Sequence, residues 1–147
     1  MEQLLSIKAN SSIFVLTGAG ISKESGVNTF RDQGGLWENH KIDEVASPEG
    51  FRKNPSLVYD FYNNRRKELN SGIEPNNAHF VLVELEKIFK INIITQNIDN
   101  LHEKAEDGST NNLIIHMHGK LNKAICLKNG HIHTWIEDLN DTHKCSI

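Results

Sequence analysis

Three short polar segments, each following an apolar run, carry the side chains in this sequence that could do chemistry. They are Gly18-Ala19-Gly20, Gln96–Asp99 and His118. Glycines after a strand let backbone N–H groups approach a phosphate, and amide and carboxylate side chains suit a ligand that carries a carboxamide. The imidazole of His118 titrates near neutral pH and could act as a general base.

The sequence leaves a plain structural alternative open for each of these segments. An ordinary turn between a strand and a helix would look similar to the glycine segment, because Gly26 follows too late for the G-x-G-x-x-G pattern. Asn97 or Asp99 could cap a helix. His118 could be a structural hydrogen-bonding residue, and the sequence does not rank it against His116, two positions earlier.

Tyr62 and Arg65 lie three positions apart in a predicted helix and therefore share one of its faces. An arginine fork can bind a carboxylate with two parallel hydrogen bonds, and a phenol can add another. The alternative is an amphipathic surface pair that binds nothing.

Cys126 and Cys145 are the two cysteines of the sequence, and His131, His133 and His143 lie between them. Zinc sites usually need four ligands and often use C-x-x-C pairs, which are missing here. A metal site therefore competes with the alternative of two unrelated thiols.

Short apolar runs predict the elements that must position these residues. Runs at 13–17, 91–95 and 113–117 predict strands buried on both faces, as in a parallel sheet. Ser47-Pro48 and Asn54-Pro55 predict helix starts, since a capping side chain precedes a proline at the first helical position. Further helices are expected at about 77–90 and about 98–105. This alternation predicts an α/β fold whose ligand site lies at the carboxyl ends of the strands.

The composition excludes several classes of function. Sixteen Lys and Arg against nineteen Asp and Glu give a net charge of −3, which excludes a strongly basic nucleic-acid binder. No apolar run approaches the ~20 residues of a membrane span. The first ten residues show no secretory signal, and two cysteines fit a reducing compartment. We expect a cytoplasmic globular protein without nucleic-acid or membrane partners.

Three blocks of the sequence occur together in one order: Gly18 to Gly26 continuing to Phe30-Arg31, then Thr95–His102, then His116–Gly119. Together they resemble the sirtuin family of NAD-dependent protein deacylases, from about residue 12 to the last residue. The resemblance implies a Rossmann-like parallel sheet with helices on both faces. It divides the chain into a dinucleotide-binding part (about 1–35 and 75–118), a small helical module (about 36–74) and a partial zinc-binding module (about 119–147).

The resemblance implies NAD as a consumed co-substrate. The acyl-lysine carbonyl oxygen would attack the carbon that carries nicotinamide, nicotinamide would leave, and the acyl group would end on ADP-ribose. His118 is implied as the general base on a ribose hydroxyl, with Asn97 and Asp99 orienting the nicotinamide end. The implied NAD contacts are Gly18, Ala19, Gly20, Ile21, Ser22, Phe30, Arg31, Trp37, Gln96, Asn97, Ile98, Asp99 and His118.

The segment Phe61–Arg66 resembles bacterial sirtuins of the desuccinylase and deacetylase class. In that class, the positions of Tyr62 and Arg65 contact the carboxylate of a succinyl-type acyl chain. The implied partners are proteins or peptides that carry acylated lysine.

The sequence departs from the sirtuin pattern in its metal-binding part. The family's zinc ribbon has four cysteines in two pairs, whereas only Cys126 and Cys145 match here, with His131, His133 or His143 as candidates to complete a site for one zinc ion. We expect the chain to be the N-terminal part of a larger catalytic domain, incomplete at its C-terminus. The alternative function is an inactive remnant that binds NAD or ADP-ribose without turnover. An ordinary NAD dehydrogenase is disfavoured by the glycine spacing.

Overall fold

The computed structural model describes residues 7–28, 40–106 and 113–146. None of the helices in these ranges combines the length and hydropathy that a membrane span requires. The elements, in chain order, are β1 (Ser12–Thr17), α1 (Ala19–Lys23), α2 (Ile42–Val45), α3 (Pro48–Lys53), α4 (Pro55–Asn70), α5 (Asn77–Glu86), β2 (Lys90–Thr95), α6 (Leu101–Ala105), β3 (Leu113–His116), β4 (Lys123–Ile125) and β5 (Ile132–Thr134).

Strands β1, β2 and β3 form a parallel sheet in that order, with β2 in the middle. Val15 pairs with Ile93, which pairs with Ile114 on its other side. The three strands predicted from the apolar runs and their parallel arrangement are therefore confirmed. Strands β4 and β5 form a separate antiparallel hairpin.

The hydrophobic core lies on one face of the sheet. Leu82 of α5 packs there against Ile91 and Ile93 of β2. On the opposite face, Phe14 and Leu16 of β1 are 69% and 66% exposed. The expectation that the strands are buried on both faces is wrong for the described residues, because side chains of β1 alternate between the packed face and solvent.

Two capping side chains explain the start of α3 and α4. Ser47 Oγ accepts a hydrogen bond from Gly50 N over 2.9 Å, and Asn54 Oδ1 accepts one from Leu57 N over 3.2 Å. A proline follows each cap, as predicted. Helix α4 ends two residues before Gly72, which has a φ of 102° that favours glycine.

Two buried side chains of α4 join this helix to the ribbon module, which we define as residues 120–146. Asn63 Nδ2 donates to Leu139 O over 3.0 Å, and Leu139 N donates back to Asn63 Oδ1 over 2.8 Å. Arg66 donates through Nε to Glu137 O over 3.0 Å and through Nη1 to Leu121 O over 3.4 Å. These contacts form a clamp between α4 and the ribbon.

Replacing Arg66 should therefore destabilise the fold. We expect Arg66→Met to lower the free energy of unfolding by about 2 kcal/mol, because buried carbonyl groups lose their donor. Arg52→Met is the matched control: its side chain is 69% exposed and contacts Glu49 within α3, so the change should stay within about 0.5 kcal/mol. Urea denaturation measures both values, and equal effects would contradict the clamp.

Candidate active site

The glycine segment forms the turn between β1 and α1. Thr17 and Thr95 end the paired strands β1 and β2, and Gln96 N donates to Thr17 O over 2.9 Å. A Cβ on Gly18 would lie 4.0 Å from Gln96 Oε1, whereas a Cβ on Gly20 would meet open space. The polar residues that follow β1 and β2 therefore meet at one edge of the sheet.

Asn97, Ser22 and Asp99 form a buried chain of hydrogen bonds at this edge. Asn97 Nδ2 donates to Ser22 Oγ over 2.9 Å and to Gly18 O over 3.1 Å. Ser22 Oγ donates in turn to Asp99 Oδ2 over 2.9 Å. The donors run in one direction and end on the Asp99 carboxylate, so this Asn97–Ser22–Asp99 chain fixes the orientation of all three side chains.

Neither Asn97 nor Asp99 is the N-cap of α6, because that position is Asn100, whose side chain makes no capping hydrogen bond. Asp99 Oδ1 accepts from Leu101 N over 3.1 Å, at the first residue of α6. Asn97 N instead donates to Thr95 Oγ1 over 3.0 Å, and its side chain reaches α1. Asp99 therefore accepts from the backbone N–H of Leu101 with one carboxylate oxygen and from Ser22 with the other.

Two buried histidines lie next to this chain. His102 Nε2 is 3.0 Å from Thr17 Oγ1, and the rings of His102 and His79 are 4.9 Å apart. Burial, followed by repulsion from His79, lowers the pKa of His102 to about 4, and burial also lowers the pKa of His79. Sequence reasoning missed His79 and Thr17. The available signal for His79 was its capping-box spacing from Asn76, whose backbone N–H donates to His79 Nδ1 over 3.3 Å.

His116 and His118, which the sequence did not rank, have different surroundings in the structure. His116 is engaged on both sides: Nδ1 is 2.8 Å from Asn97 O and Nε2 is 2.9 Å from Glu103 Oε1. His118 is exposed beyond the end of β3, before Gly119, whose φ of 79° favours glycine. His116 therefore holds the loop after β2, and His118 remains accessible to a ligand.

Glu103 is the charged centre of the polar contacts near β3. Burial alone would raise the pKa of Glu103, but hydrogen bonds from His116 and Lys120 outweigh burial and lower this pKa to about 2. Lys120 Nζ lies 2.7 Å from Glu103 Oε1. Sequence reasoning did not select Glu103, since its partners come from other elements.

Acid should destabilise the fold in two stages. The depressed folded pKa of His102 means that, between about pH 6.5 and 4, the unfolded chain takes up a proton that the folded chain does not, so stability falls as the pH drops. Glu103 adds stability that is complete above its ordinary pKa of 4.5 and is lost towards about pH 2. Urea denaturation at a series of pH values measures both stages.

Single substitutions should separate the two stages. His102→Gln should reduce the loss of stability between about pH 6.5 and 4 and leave the loss at lower pH unchanged. Glu103→Gln should leave the loss at higher pH and reduce the loss between about pH 4.5 and 2. Profiles of the same shape in the unsubstituted chain and both variants would contradict this assignment.

Tyr62 and Arg65 lie one turn apart on α4, and not at the strand ends. Arg65 Nη1 is 3.1 Å from Glu68 Oε2, and the Arg65 side chain is 14% exposed. Burial raises the pKa of Tyr62, so its phenol stays protonated and can donate a hydrogen bond. Arg65 lines a cleft of about 130 Å³ together with His40, Leu57, Asp60, Phe61 and Asn64.

The ribbon module brings several metal-type side chains together. His131 Nδ1 lies 3.0 Å from His133 Nε2, which lies 3.2 Å from Cys145 Sγ. The donor atoms of His131, His133 and Cys145 all lie within 4.8 Å of one another, and Cys126 contacts Cys145 outside that group of three. His143 lies outside this group, and the centroid of its ring is 4.9 Å from that of the Trp135 indole.

The remaining predicted NAD contacts are spread over several environments. Ile21 packs against the hydrophobic core, and Ile98 O accepts from Leu121 N over 2.8 Å. Ala19 is half-buried at the start of α1, and Gln96 is exposed directly after β2. Phe30, Arg31 and Trp37 lie outside the described residues.

These features define a parallel α/β protein whose polar residues converge where the strands end, the position at which open α/β sheets bind ligands. The Sir2 family profile matches residues 18–146. The chain belongs to the Sir2 family.

Individual relatives and solved structures support this family assignment. A NAD-dependent protein deacylase of Pasteurella multocida (strain Pm70) is 60% identical over 136 residues, which cover 90% of this chain and 56% of the relative. A Sir2 homologue solved as a NAD complex is 36% identical with a TM-score of 0.76, covering 94% of this chain and 53% of that one. Sir2 solved with an inhibitor, 2′-O-acetyl-ADP-ribose and a deacetylated peptide is 30% identical with a TM-score of 0.64, covering 88% and 49%. The chain spans about half the length of the curated relatives it matches.

Proposed function

We propose that this chain provides the nicotinamide-side NAD site and the general base of a NAD-dependent protein-lysine deacylase. The observation that carries the proposal is the Asn97–Ser22–Asp99 chain where β1 and β2 end, with the exposed Gln96 and His118 following β2 and β3 of the same sheet. The deacylase names of the relatives and the NAD complex of a structural neighbour support it.

Each described residue has a distinct task in this proposal. Asn97 is held by Gly18 O and Ser22 Oγ, so its amide is oriented before a ligand arrives. Asp99 stabilises that orientation from the far end of the hydrogen-bond chain. His118 is exposed and would accept a proton from a ribose hydroxyl.

NAD, when bound, supplies the carbon that accepts the acyl oxygen, with nicotinamide as the leaving group. The buried histidines His79 and His102, which lie next to the Asn97–Ser22–Asp99 chain, are uncharged near neutral pH, because burial lowers the pKa of both. A cationic nicotinamide ring bound near these residues would therefore not be repelled by a charged imidazole of either histidine.

Release of nicotinamide tests the proposal directly. The chain should release nicotinamide from NAD when an acetyl-lysine or succinyl-lysine peptide is present, and His118→Ala should lower the steady-state rate of deacylated-peptide formation by about 10²- to 10⁴-fold. NAD affinity, measured by calorimetry, should change much less than the rate. His143→Ala is the matched control, since this histidine lies in the ribbon module outside the converging group.

Two results would count against the active enzyme. NAD binding without nicotinamide release, with either peptide, would favour the alternative of an inactive NAD-binding or ADP-ribose-binding remnant. Equal rates for His118→Ala and the unsubstituted chain would remove His118 as the base.

We further propose that Tyr62 and Arg65 favour acyl groups that end in a carboxylate. Arg65 lines the α4 cleft and already pairs with a carboxylate, that of Glu68, over 3.1 Å. A succinyl-type group would offer the same chemistry to the guanidinium, and the protonated phenol of Tyr62 would add a donor.

Substitutions on α4 should separate the two acyl classes. Arg65→Met should reduce succinyl-lysine turnover by roughly tenfold or more relative to acetyl-lysine turnover, because a charge-assisted hydrogen bond is lost. Tyr62→Phe should have a smaller effect in the same direction. Arg52→Met, on the neighbouring helix, serves as the charge-matched control. An equal loss with both peptides would rule out the carboxylate preference.

A further inference from the structure

We propose that Glu103 is a positioning residue for His118, because its carboxylate holds the residues on both sides of the His118-Gly119 turn. His116 Nε2 and Lys120 Nζ lie 2.9 and 2.7 Å from the same oxygen, Glu103 Oε1. This inference rests on the proposed role of His118 as general base and adds the side chain that keeps this base in place.

The His118 ring has to be positioned through its backbone. His118 is exposed in the turn after β3, and in the part of the chain that the structure describes no side-chain hydrogen bond holds its ring. Inside the turn, Gly119 N donates to His116 O over 3.4 Å, which is long for a hydrogen bond. A base that must accept a proton from a ligand keeps its own nitrogens available, so the neighbouring residues have to restrict the turn.

The helix that carries Glu103 is itself firmly held. Leu101 of α6 is fully buried, and His102 is 3% exposed and lies 3.0 Å from Thr17 Oγ1. Asp99, the last member of the Asn97–Ser22–Asp99 chain, accepts from Leu101 N over 3.1 Å. Glu103 therefore connects the turn that carries His118 to the same buried residues that orient Asn97.

His116 provides a second connection between the two parts of the candidate site. Its side chain is 2% exposed, and its Nδ1 donates to Asn97 O over 2.8 Å. A carbonyl oxygen and an ionised carboxylate only accept hydrogen bonds, so both ring nitrogens of His116 donate, one to Asn97 and one to Glu103. The distance between Asn97 and the turn after β3 is thus set by one side chain.

The charge of Glu103 strengthens these contacts. Burial alone would raise the pKa of Glu103, but hydrogen bonds from His116 and Lys120 outweigh burial and lower this pKa to about 2. Charge-assisted hydrogen bonds are roughly twice as strong as neutral ones. The exposed pair of Glu84 and Lys87, with side chains 66% and 69% exposed, offers a contrast, because such surface pairs contribute little.

Single-turnover kinetics with NAD and an acetyl-lysine peptide test the positioning role. In Glu103→Ala, formation of deacylated peptide should slow by about tenfold, since a catalytic group displaced by less than an ångström loses that much. Nicotinamide release in the first turnover, and the KM for NAD, should change by less than about twofold, because Asn97 keeps its bonds to Gly18 O and Ser22 Oγ. A merely structural role would lower both steps together.

A series of variants tests whether the carboxylate acts through its two partners. Glu103→Gln keeps the length and one acceptor oxygen, so it should slow deacylation less than Glu103→Ala does. Lys120→Met removes one partner and should also slow it, whereas the double variant should be no slower than Glu103→Ala alone. Glu84→Ala and Lys87→Met, which break the exposed pair on α5, are the matched controls and should leave both steps unchanged.

Backbone relaxation measured by NMR provides a test that needs no enzymatic activity. In the unsubstituted chain, the order parameters of the His118 and Gly119 amides should be those of rigid backbone, about 0.85. In Glu103→Ala they should fall towards the value of about 0.6 that marks flexible backbone. The amide of Ile93, in the middle of the sheet, should not change.

The outcomes separate this inference from the proposed function. Order parameters that stay unchanged at His118, or a deacylation rate in Glu103→Ala equal to that in Glu84→Ala, would overturn the positioning role. An equal loss of nicotinamide release and of deacylation would overturn it as well. An unsubstituted chain without turnover would instead overturn the proposed function, and the order parameters would still decide whether Glu103 holds the turn. If Glu103→Ala does not fold, Lys120→Met decides by the same measurements.

Discussion

The hydrogen bond from Ser22 Oγ to Asp99 Oδ2 is the contact on which the candidate active site depends. It joins the helix after β1 to the loop after β2, and the same hydroxyl accepts from Asn97. Ser22 is fully buried, so without this hydroxyl Asp99 Oδ2 and Asn97 Nδ2 would each lose a hydrogen-bond partner away from water. Parallel strands bring the polar segments to one edge, and this hydroxyl fixes their relative orientation.

The buried polar groups near this contact form two sets, one uncharged and one charged. On the β1 side, Thr17, His102 and His79 form a buried layer in which the pKa of both histidines is lowered. On the β3 side, Glu103 keeps its charge because His116 and Lys120 surround it. The two sides differ because a buried carboxylate needs donors or a cation nearby, whereas a buried imidazole can remain neutral.

Local patterns in the sequence predicted the parts of the fold that local physics determines. The apolar runs predicted β1–β3, and Ser47 and Asn54 predicted helix starts, because strand and cap preferences depend on neighbouring residues. The ranking of His116 and His118 could not be predicted, since it depends on Glu103 in another element. The exposure of Phe14 could not be predicted either, because an apolar run does not reveal which face is covered.

The clamp on α4 has a consequence for how disturbances would spread through the molecule. Along this one helix, Tyr62 and Arg65 alternate with Asn63 and Arg66, which hold the backbone of residues 121, 137 and 139. Any loosening of the ribbon would thus reach the helix surface that carries Tyr62 and Arg65. The strand-end cluster is tied together by its own hydrogen bonds, so under the roles proposed above the Tyr62 and Arg65 surface would lose its geometry before the strand-end cluster does.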